Sequence, residues 1–209
     1  MNEKVLAFKT ELLKEIGHFQ GYTLDVGKYL NIILDSKHHL YLERNSAERN
    51  YQYKQLISYV ALRYKKSLFS YVRGKAGSEK RLVGRRSIAL GGHIDQADKR
   101  LSSSSKDLYL LAARRELSEE VKIESSYREQ IVALINDDST NVGKVHFGIL
   151  QVWDLEEAKV TKIEKEIIET GFYSFQTLKG LISELESWSV IALHALDDPL
   201  TPLYSECAD

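Results

Sequence analysis

Apolar residues in the first third of the chain change their spacing several times, and each spacing predicts a different element. In residues 2–16 an apolar side chain recurs every three or four positions, which predicts a helix that ends at Gly17. Two short apolar runs, Tyr29–Leu34 and Leu40–Leu42, predict a pair of strands around a turn. The polar stretch Ala47–Gln55 predicts a loop or a short helix.

The character of the chain changes at Leu56, where β-branched and aromatic residues become frequent. Strands are predicted at Leu56–Tyr64, Leu68–Val72 and Leu82–Leu90. Gly74 and Gly77 separate the last two segments, as a hairpin connection requires.

A central helix is predicted between two groups of strands. The polar stretch that follows Gly91 and Gly92 contains four serines at 102–105, which are good helix caps, and the predicted helix then runs to about Lys122. The later elements are strands at Gln130–Ile135, Lys144–Trp153 and Phe172–Phe175, a weakly helical or loop segment at Glu156–Glu169, and closing helices at Leu178–Glu186 and Trp188–Leu196. Strands on both sides of a helix, with more helix at the end, predict an α/β fold with a mixed sheet packed between helices.

Composition and charge are those of an ordinary globular protein. The 209 residues are 43% hydrophobic and 28% charged, and the formal net charge of −1 gives no reason to expect a nucleic-acid partner. The single cysteine, Cys207, excludes an internal disulfide framework and a cysteine metal site. Because the start of the chain is charged and no apolar run reaches membrane-spanning length, we expect a cytoplasmic protein without a membrane partner.

The segment from Arg115 to Ile123 carries the strongest chemical signal, with the order Arg-Glu-Leu-Ser-Glu-Glu-Val-Lys-Ile. On a helix, Glu116, Glu119 and Glu120 fall within an arc of about 100°. Carboxylates that lie so close repel each other unless a cation neutralises them, and such oxygen-rich sites suit Mg²⁺ or Mn²⁺. The segment therefore predicts a divalent-metal site for phosphate chemistry.

The same segment resembles the Nudix box of the Nudix hydrolase superfamily, Gly-x5-Glu-x7-Arg-Glu-U-x-Glu-Glu-x-Gly-U, where U is bulky and apolar. The run from Arg115 to Ile123 matches it in register, and Asp107 stands where the family has glutamate. Gly92 is the counterpart of the opening glycine, with a longer connection to Asp107, and Lys122 replaces the closing glycine. The stretch 135–148 also resembles a subgroup of predicted Nudix phosphoesterases. The resemblance implies a Nudix-type α/β/α sandwich with a mixed β-sheet and an N-terminal extension.

The resemblance also implies a reaction and a set of residues. The family hydrolyses a diphosphate bond in a nucleoside diphosphate linked to another moiety. Carried onto this chain, it implies metal ligation by Glu116, Glu119, Glu120 and the carbonyl of Gly91. Glu119 and Glu120 would be catalytic, and Arg115 would orient a glutamate through a charge-assisted hydrogen bond.

Residues outside the box are candidates for further roles. A general base or an extra metal ligand is expected either within the box or at Glu164, Glu166 or Glu169, which follow the long strand. The basic hairpin offers Arg73 and Arg85 as substrate-binding groups, although a charged hairpin surface explains the same residues.

Some positions have two explanations. Asp107 is either a weak member of the motif or a helix N-terminal charge, and Lys122 removes the glycine that usually ends such a helix. His93 and His146 are candidates for substrate contact, although structural hydrogen bonding is the more ordinary role for each. Residues Arg44–Glu48 are a candidate substrate loop.

We therefore predict residues 1–50 as an N-terminal extension, 51–200 as a Nudix domain and 201–209 as a tail. The expected function is metal-dependent hydrolysis of a small diphosphate-containing substrate. The resemblance to the family leaves the oligomeric state open, with a homodimer as the candidate. The alternative from another class is a Nudix-fold nucleotide-binding or regulatory module with weak catalysis, against which the three retained glutamates argue.

Overall fold

A computed structural model describes residues 3–75, 82–101, 104–165 and 167–202. The strands are β1 (Lys4–Lys9), β2 (Gly21–Thr23), β3 (His39–Glu43), β4 (Tyr53–Tyr64), β5 (Ser67–Arg73), β6 (Arg86–Ser87), β7 (Val121–Ile123), β8 (Tyr127–Asn136), β9 (His146–Leu155), β10 (Val160–Lys162) and β11 (Ile167–Ser174). The helices are α1 (Glu11–Ile16), α2 (Val26–Ile33), α3 (Arg44–Ala47), α4 (Ser105–Glu120), α5 (Phe175–Gly180) and α6 (Ser187–Asp197).

The architecture is α/β with a large mixed sheet, as the sequence predicts. The chain forms two compact units. Unit 1 comprises the described residues of 1–59, 91–116 and 133–149, and unit 2 comprises the described residues of 60–90, 117–132 and 150–209. The domain boundaries at residues 50 and 200 stay a prediction. Among the described residues, no helix is long and apolar enough to cross a membrane.

Strand β1 replaces most of the helix predicted at residues 2–16, and that prediction was wrong for this part. Four successive residues, Val5 to Phe8, are fully buried, because β1 pairs antiparallel with both β3 and β4 and has neighbours on both edges. A short apolar run buried on both faces has the same composition as a buried helix, so spacing alone does not separate them. The helix begins only at Glu11, in α1.

Helix α2 stands where a strand was predicted at Tyr29–Leu34, so this prediction was also wrong. Tyr29, Leu30 and Ile33 are buried while Lys28 is exposed, which is the single apolar face of a helix. The Tyr29 hydroxyl donates to the carbonyl of Gly17 at 2.7 Å and ties the helix to the end of α1. The neighbouring strand prediction at Leu40–Leu42 is confirmed by β3.

Helix α4 has a capped start and an abrupt end. Ser104 accepts a hydrogen bond from the backbone N–H of Asp107 at 3.1 Å and donates to the Asp107 carboxylate at 2.7 Å. The prediction that a serine of the run caps the helix is therefore confirmed. At Glu120 the chain passes directly into β7, which pairs with β10.

That direct passage explains how the chain does without the closing glycine of the Nudix box. Lys122 is a strand residue, and the only non-glycine residues with a positive φ in the described part of the chain are Lys65 and Glu169. The Lys122 side chain is exposed and its ammonium lies 2.7 Å from Glu124. Since no left-handed residue is needed at 122, a lysine there has no conformational cost.

In unit 2, β5 pairs antiparallel with the end of β4, with β6 and with β11. The predicted strand at Leu82–Leu90 is regular only at β6, and Leu90 adds an isolated bridge to Val60. Gly77 of the predicted hairpin lies outside the described residues.

Candidate functional site

The Gly91–Gly92–His93 turn is built against Ser58 of β4. The Ser58 N–H donates to the Gly92 carbonyl at 2.9 Å, and His93 forms an isolated bridge with Ile57. Gly91 has a φ of +141°, and a Cβ placed on it would lie 2.0 Å from the Ser58 carbonyl oxygen. Only glycine fits there, because both the backbone conformation and the close approach exclude a side chain.

A side chain is excluded at Gly92 for a different reason. A Cβ at Gly92 would lie 2.4 Å from Oε2 of Glu116, so the carboxylate of α4 packs directly on the Gly92 backbone. The Arg115 guanidinium holds this carboxylate from the other side, with Nη1 donating to Glu116 Oε1 at 2.8 Å. The first glutamate of the box is thus confined between a glycine and an arginine.

Asp98 anchors Arg115 in turn. The Asp98 carboxylate is buried and accepts from Arg115 Nε at 2.9 Å and from Nη2 at 3.0 Å. Nη2 also donates to the carbonyl of His93 at 3.1 Å. Hydrogen bonding to Asp98 raises the pKa of Arg115 above its ordinary value despite partial burial. Sequence reasoning missed Asp98, because it lies in the connection that departs from the family pattern.

Glu119 and Glu120 occupy the last turn of α4, three and four positions after Glu116. The side chain of Glu119 is exposed and that of Glu120 is half-buried. The carbonyl of Glu120 accepts from the backbone N–H of Ile163 at 2.9 Å and of Glu164 at 3.3 Å. This pair of bonds places Glu164 next to the end of the helix.

The other candidates for an extra base differ from Glu164. Glu169 sits at an irregularity of β11 with a φ of +48°, and its exposed carboxylate lies 3.4 Å from Arg86 Nη2. Glu166 lies outside the described residues.

The two arginines predicted to bind substrate have structural partners. Arg73 Nε donates to the buried carboxylate of Glu186 at 2.8 Å. Arg85 is exposed and its Nη1 donates to the carbonyl of Ser183 at 2.7 Å. Both arginine side chains are therefore held by contacts within unit 2, and their role in substrate binding stays a prediction.

Glu48, His93 and His146 form a cluster in unit 1 that could hold a metal ion, since one ligand atom from each lies within 4.8 Å of the others. Glu48 follows α3, His93 ends the glycine turn, and His146 is the first residue of β9. Burial, together with the charge of Arg44, holds the pKa of His93 well below its ordinary value, so this ring is neutral. The interaction with the nearby His146 lowers the pKa of Glu48 and outweighs the opposing effect of burial. Sequence reasoning named all three positions but gave no sign that they meet.

The loop before His146 is fixed by buried polar contacts. Gly143 packs so tightly that a Cβ there would lie 1.9 Å from the Asp137 carbonyl oxygen. The ammonium of the fully buried Lys54 donates to the Gly143 carbonyl and to Asp138 Oδ1, both at 2.8 Å. Burial lowers the pKa of Lys54, while Asp138 opposes that shift.

Known proteins resemble this chain in sequence and in fold. Protein YmaB of Bacillus subtilis (strain 168) is 35% identical over 161 residues, which cover 75% of this chain and 77% of YmaB. The crystal structure of Tm1382, a candidate Nudix hydrolase, aligns over 93% of this chain and 98% of its own at 26% identity, with a TM-score of 0.75. The Nudix domain of Shewanella oneidensis NrtR, in complex with ADP ribose, covers 71% of this chain and 89% of its own at 11% identity, with a TM-score of 0.52, and shares the fold. No family model matches the chain.

The fold shared with Tm1382 places the chain among the hydrolases that act on acid anhydrides. The chain belongs to the Nudix hydrolase superfamily.

Proposed function

We propose that the chain is a metal-dependent hydrolase that cleaves the diphosphate bond of a nucleoside diphosphate linked to another moiety. The observation that carries this proposal is the confinement of Glu116, whose carboxylate packs on the bare backbone of Gly92 and accepts from Arg115. A methyl group at Gly92 would displace the carboxylate, so the site has the form of a positioned ligand rather than of a solvated surface glutamate.

The donor set of the helix fits Mg²⁺ or Mn²⁺. Glu116, Glu119 and Glu120 offer carboxylate oxygens on neighbouring turns of α4, and hard cations prefer such ligands. The carbonyl of Gly91 is the further ligand that we assign. A bound ion would neutralise charge on the diphosphate and would lower the pKa of an attacking water.

Arg115 acts as a positioning residue in this proposal. Its bidentate bond to the buried Asp98 fixes the guanidinium, and the remaining N–H groups hold Glu116 and the His93 carbonyl. A guanidinium committed to so many protein acceptors orients the metal ligand rather than contacting substrate.

The general base is either a glutamate of the box or Glu164. The backbone bonds from residues 163 and 164 to the Glu120 carbonyl favour Glu164 over Glu169, which is exposed and paired with Arg86. Asp107 is assigned to helix capping, because its carboxylate accepts from Ser104.

The substrate class is supported by the family reaction and by the ADP ribose bound by the Nudix domain of NrtR. ADP ribose is itself a nucleoside diphosphate joined to a second sugar. The cytoplasmic location and the homodimer stay predictions from the sequence.

The test is a hydrolysis screen with nucleotide sugars, dinucleoside polyphosphates, NADH, ADP-ribose and nucleoside triphosphates, each with Mg²⁺ and with Mn²⁺. Glu120→Gln is assayed beside the wild type and beside Glu11→Gln, a control at a well-exposed glutamate of α1. We expect Glu120→Gln to lose activity by orders of magnitude while Glu11→Gln keeps it. Binding of a ligand without turnover of any compound would instead favour a regulatory module.

A further inference from the structure

We propose that Glu48, His93 and His146 bind a second metal of a different kind, a divalent transition metal such as Zn²⁺. The three residues lie in unit 1 and contribute Oε1 of Glu48 and the Nε2 atoms of both histidines. The proposal concerns residues outside the Nudix box and holds whether or not the box glutamates are catalytic.

The distances between the ligand atoms support coordination rather than hydrogen bonding. The Nε2 atoms of His93 and His146 are 3.3 Å apart, and Oε1 of Glu48 is 3.5 Å from the His146 atom and 3.9 Å from the His93 atom. Zinc bonds of about 2.0–2.1 Å at tetrahedral angles place two ligands roughly 3.3–3.4 Å apart. Hydrogen bonds to nitrogen and oxygen are shorter, at about 2.7–3.2 Å. Two sides of the triangle are therefore close to the edge of a zinc coordination tetrahedron, and the third, between Glu48 and His93, is about 0.5 Å longer.

The orientation of His146 is that of a metal ligand. Its Nδ1 lies 2.8 Å from the Val142 carbonyl oxygen, which can only accept, so Nδ1 carries the proton. In this tautomer Nε2 carries the lone pair that a metal ligand needs, and it faces Oε1 of Glu48 and Nε2 of His93. Metal-bound histidines commonly donate their other N–H to a carbonyl in this manner.

The loop that carries His146 is preorganised. Lys54 is fully buried and its ammonium binds the carbonyl of Gly143, three residues before the histidine. Gly143 itself has no room for a side chain against the Asp137 carbonyl. A site held by rigid buried contacts loses little entropy when an ion binds.

Gln55 adds an independent sign of a missing partner. This side chain is fully buried, and its Nε2 lies 3.2 Å from Nε2 of His146. Its Oε1 has no hydrogen-bond partner among the residues that the structure describes. Buried polar atoms rarely stay unsatisfied, so this amide oxygen needs a donor that the described residues do not supply.

The donor set separates this site from the box. Two imidazole nitrogens and one carboxylate oxygen suit borderline metals such as Zn²⁺, whereas carboxylates alone suit Mg²⁺. Both histidines are buried while Glu48 is partly exposed, so solvent reaches the cluster from the Glu48 side. Three protein ligands with one open position is the arrangement that leaves room for a bound water.

The test is a titration of the full chain, stripped of metal by a chelator, with Co²⁺ as a coloured probe and Zn²⁺ as competitor. We expect one equivalent of Co²⁺ to give the strong visible absorption of a low-coordinate ion, and Zn²⁺ to displace it. Glu48→Gln should weaken Co²⁺ binding at least tenfold, and His146→Asn should remove the absorption. His38→Asn, at an exposed histidine, and Glu120→Gln, in the box, should leave it unchanged.

Weak, six-coordinate Co²⁺ binding that is equal in the wild type, Glu48→Gln and His146→Asn would overturn the proposal. Loss of the absorption in Glu120→Gln alone would also overturn it, because the ion would then belong to the box. Near-ultraviolet circular dichroism reports whether each variant folds. Glu48→Gln decides the question if His146→Asn does not fold, since Glu48 is not part of the buried core.

Discussion

Addition of a single methyl group at Gly92 should impair catalysis and leave the stability of the fold nearly unchanged. In Gly92→Ala the new Cβ would lie 2.4 Å from Oε2, 2.6 Å from Cδ and 2.9 Å from Oε1 of Glu116. Gly92 is not among the described glycines with positive φ, so alanine introduces no backbone strain there. The strain falls on the carboxylate of the proposed metal ligand.

The size of the effect follows from these distances. To reach an ordinary contact of 3.4 Å, the carboxylate must retreat by about 1 Å, and a misplacement of about 1 Å can cost roughly 100-fold in rate. We therefore expect kcat to fall about 100-fold, which corresponds to about 2.7 kcal/mol in the activation free energy. The free energy of unfolding should change by less than about 1 kcal/mol, because only the end of a flexible side chain must move.

Gly91→Ala is the matched control, one residue away. Its Cβ would lie 2.0 Å from the Ser58 carbonyl oxygen, on a backbone with a φ of +141°. Relief of this clash requires movement of the β4 backbone, and alanine rarely adopts such a positive φ. We therefore expect the free energy of unfolding to fall by about 3 kcal/mol or more.

Steady-state hydrolysis of the best substrate in the screen, beside urea unfolding, measures both effects. If Gly92→Ala kept its activity within threefold of the wild type, the position of the Glu116 carboxylate would not matter for the reaction. Equal destabilisation of the two alanine variants would show that both glycines serve only the fold.

Three further predictions concern residues around the site. Burial acts to raise the pKa of Asp138, but hydrogen bonding and the charge of Lys54 outweigh it and hold the pKa below its ordinary value, so this carboxylate stabilises the fold above about pH 4. Asp138→Asn should therefore lower the free energy of unfolding at pH 7 by about 3 kcal/mol, because it leaves the buried Lys54 ammonium without its carboxylate partner. Urea titrations should show that the difference in unfolding free energy between wild type and variant shrinks as the pH falls below about 4. Lys122→Gly should leave kcat within about twofold and lower stability by about 0.5–1 kcal/mol in thermal melts, because a strand residue and not a helix cap is changed; a large gain in activity would contradict this. Arg115→Lys should reduce kcat at least tenfold, because lysine cannot bind Asp98 in the bidentate manner that orients the guanidinium, and unchanged kinetics would refute the positioning role.

Where the sequence predicted the fold well, local spacing and tertiary packing agree. Helix α4 follows from its caps and from the repeated apolar positions, and β4, β8 and β9 follow from long runs of strand-forming residues. The α/β class needs only this alternation of strands around a helix.

The two wrong predictions lie in short elements whose apolar residues suit either a helix or a strand. The four buried residues of β1, from Val5 to Phe8, are apolar because the strand has two neighbours, and a sequence does not show how many neighbours a strand has. Helix α2 is short, and its buried face at Tyr29, Leu30 and Ile33 forms a run that also suits a strand.

The candidate site could likewise be predicted only in part from the sequence. The glutamates of the box are three and four positions apart on one helix, so their proximity can be predicted from helical geometry alone. Asp98, Glu48 and His146 approach their partners only through the tertiary fold, from segments far apart in the chain. No local spacing encodes such a meeting, and the closeness of Glu48, His93 and His146 therefore appears only in the structure.

We propose above all that the carboxylates of α4 bind the metal ion required for diphosphate hydrolysis. The most direct measurement is the initial rate of cleavage of the best diphosphate substrate at saturating Mn²⁺, in the wild type and in Glu120→Gln, with circular dichroism to confirm that both fold. We expect kcat of Glu120→Gln to fall by orders of magnitude with an unchanged fold. Equal rates in the two proteins would contradict it.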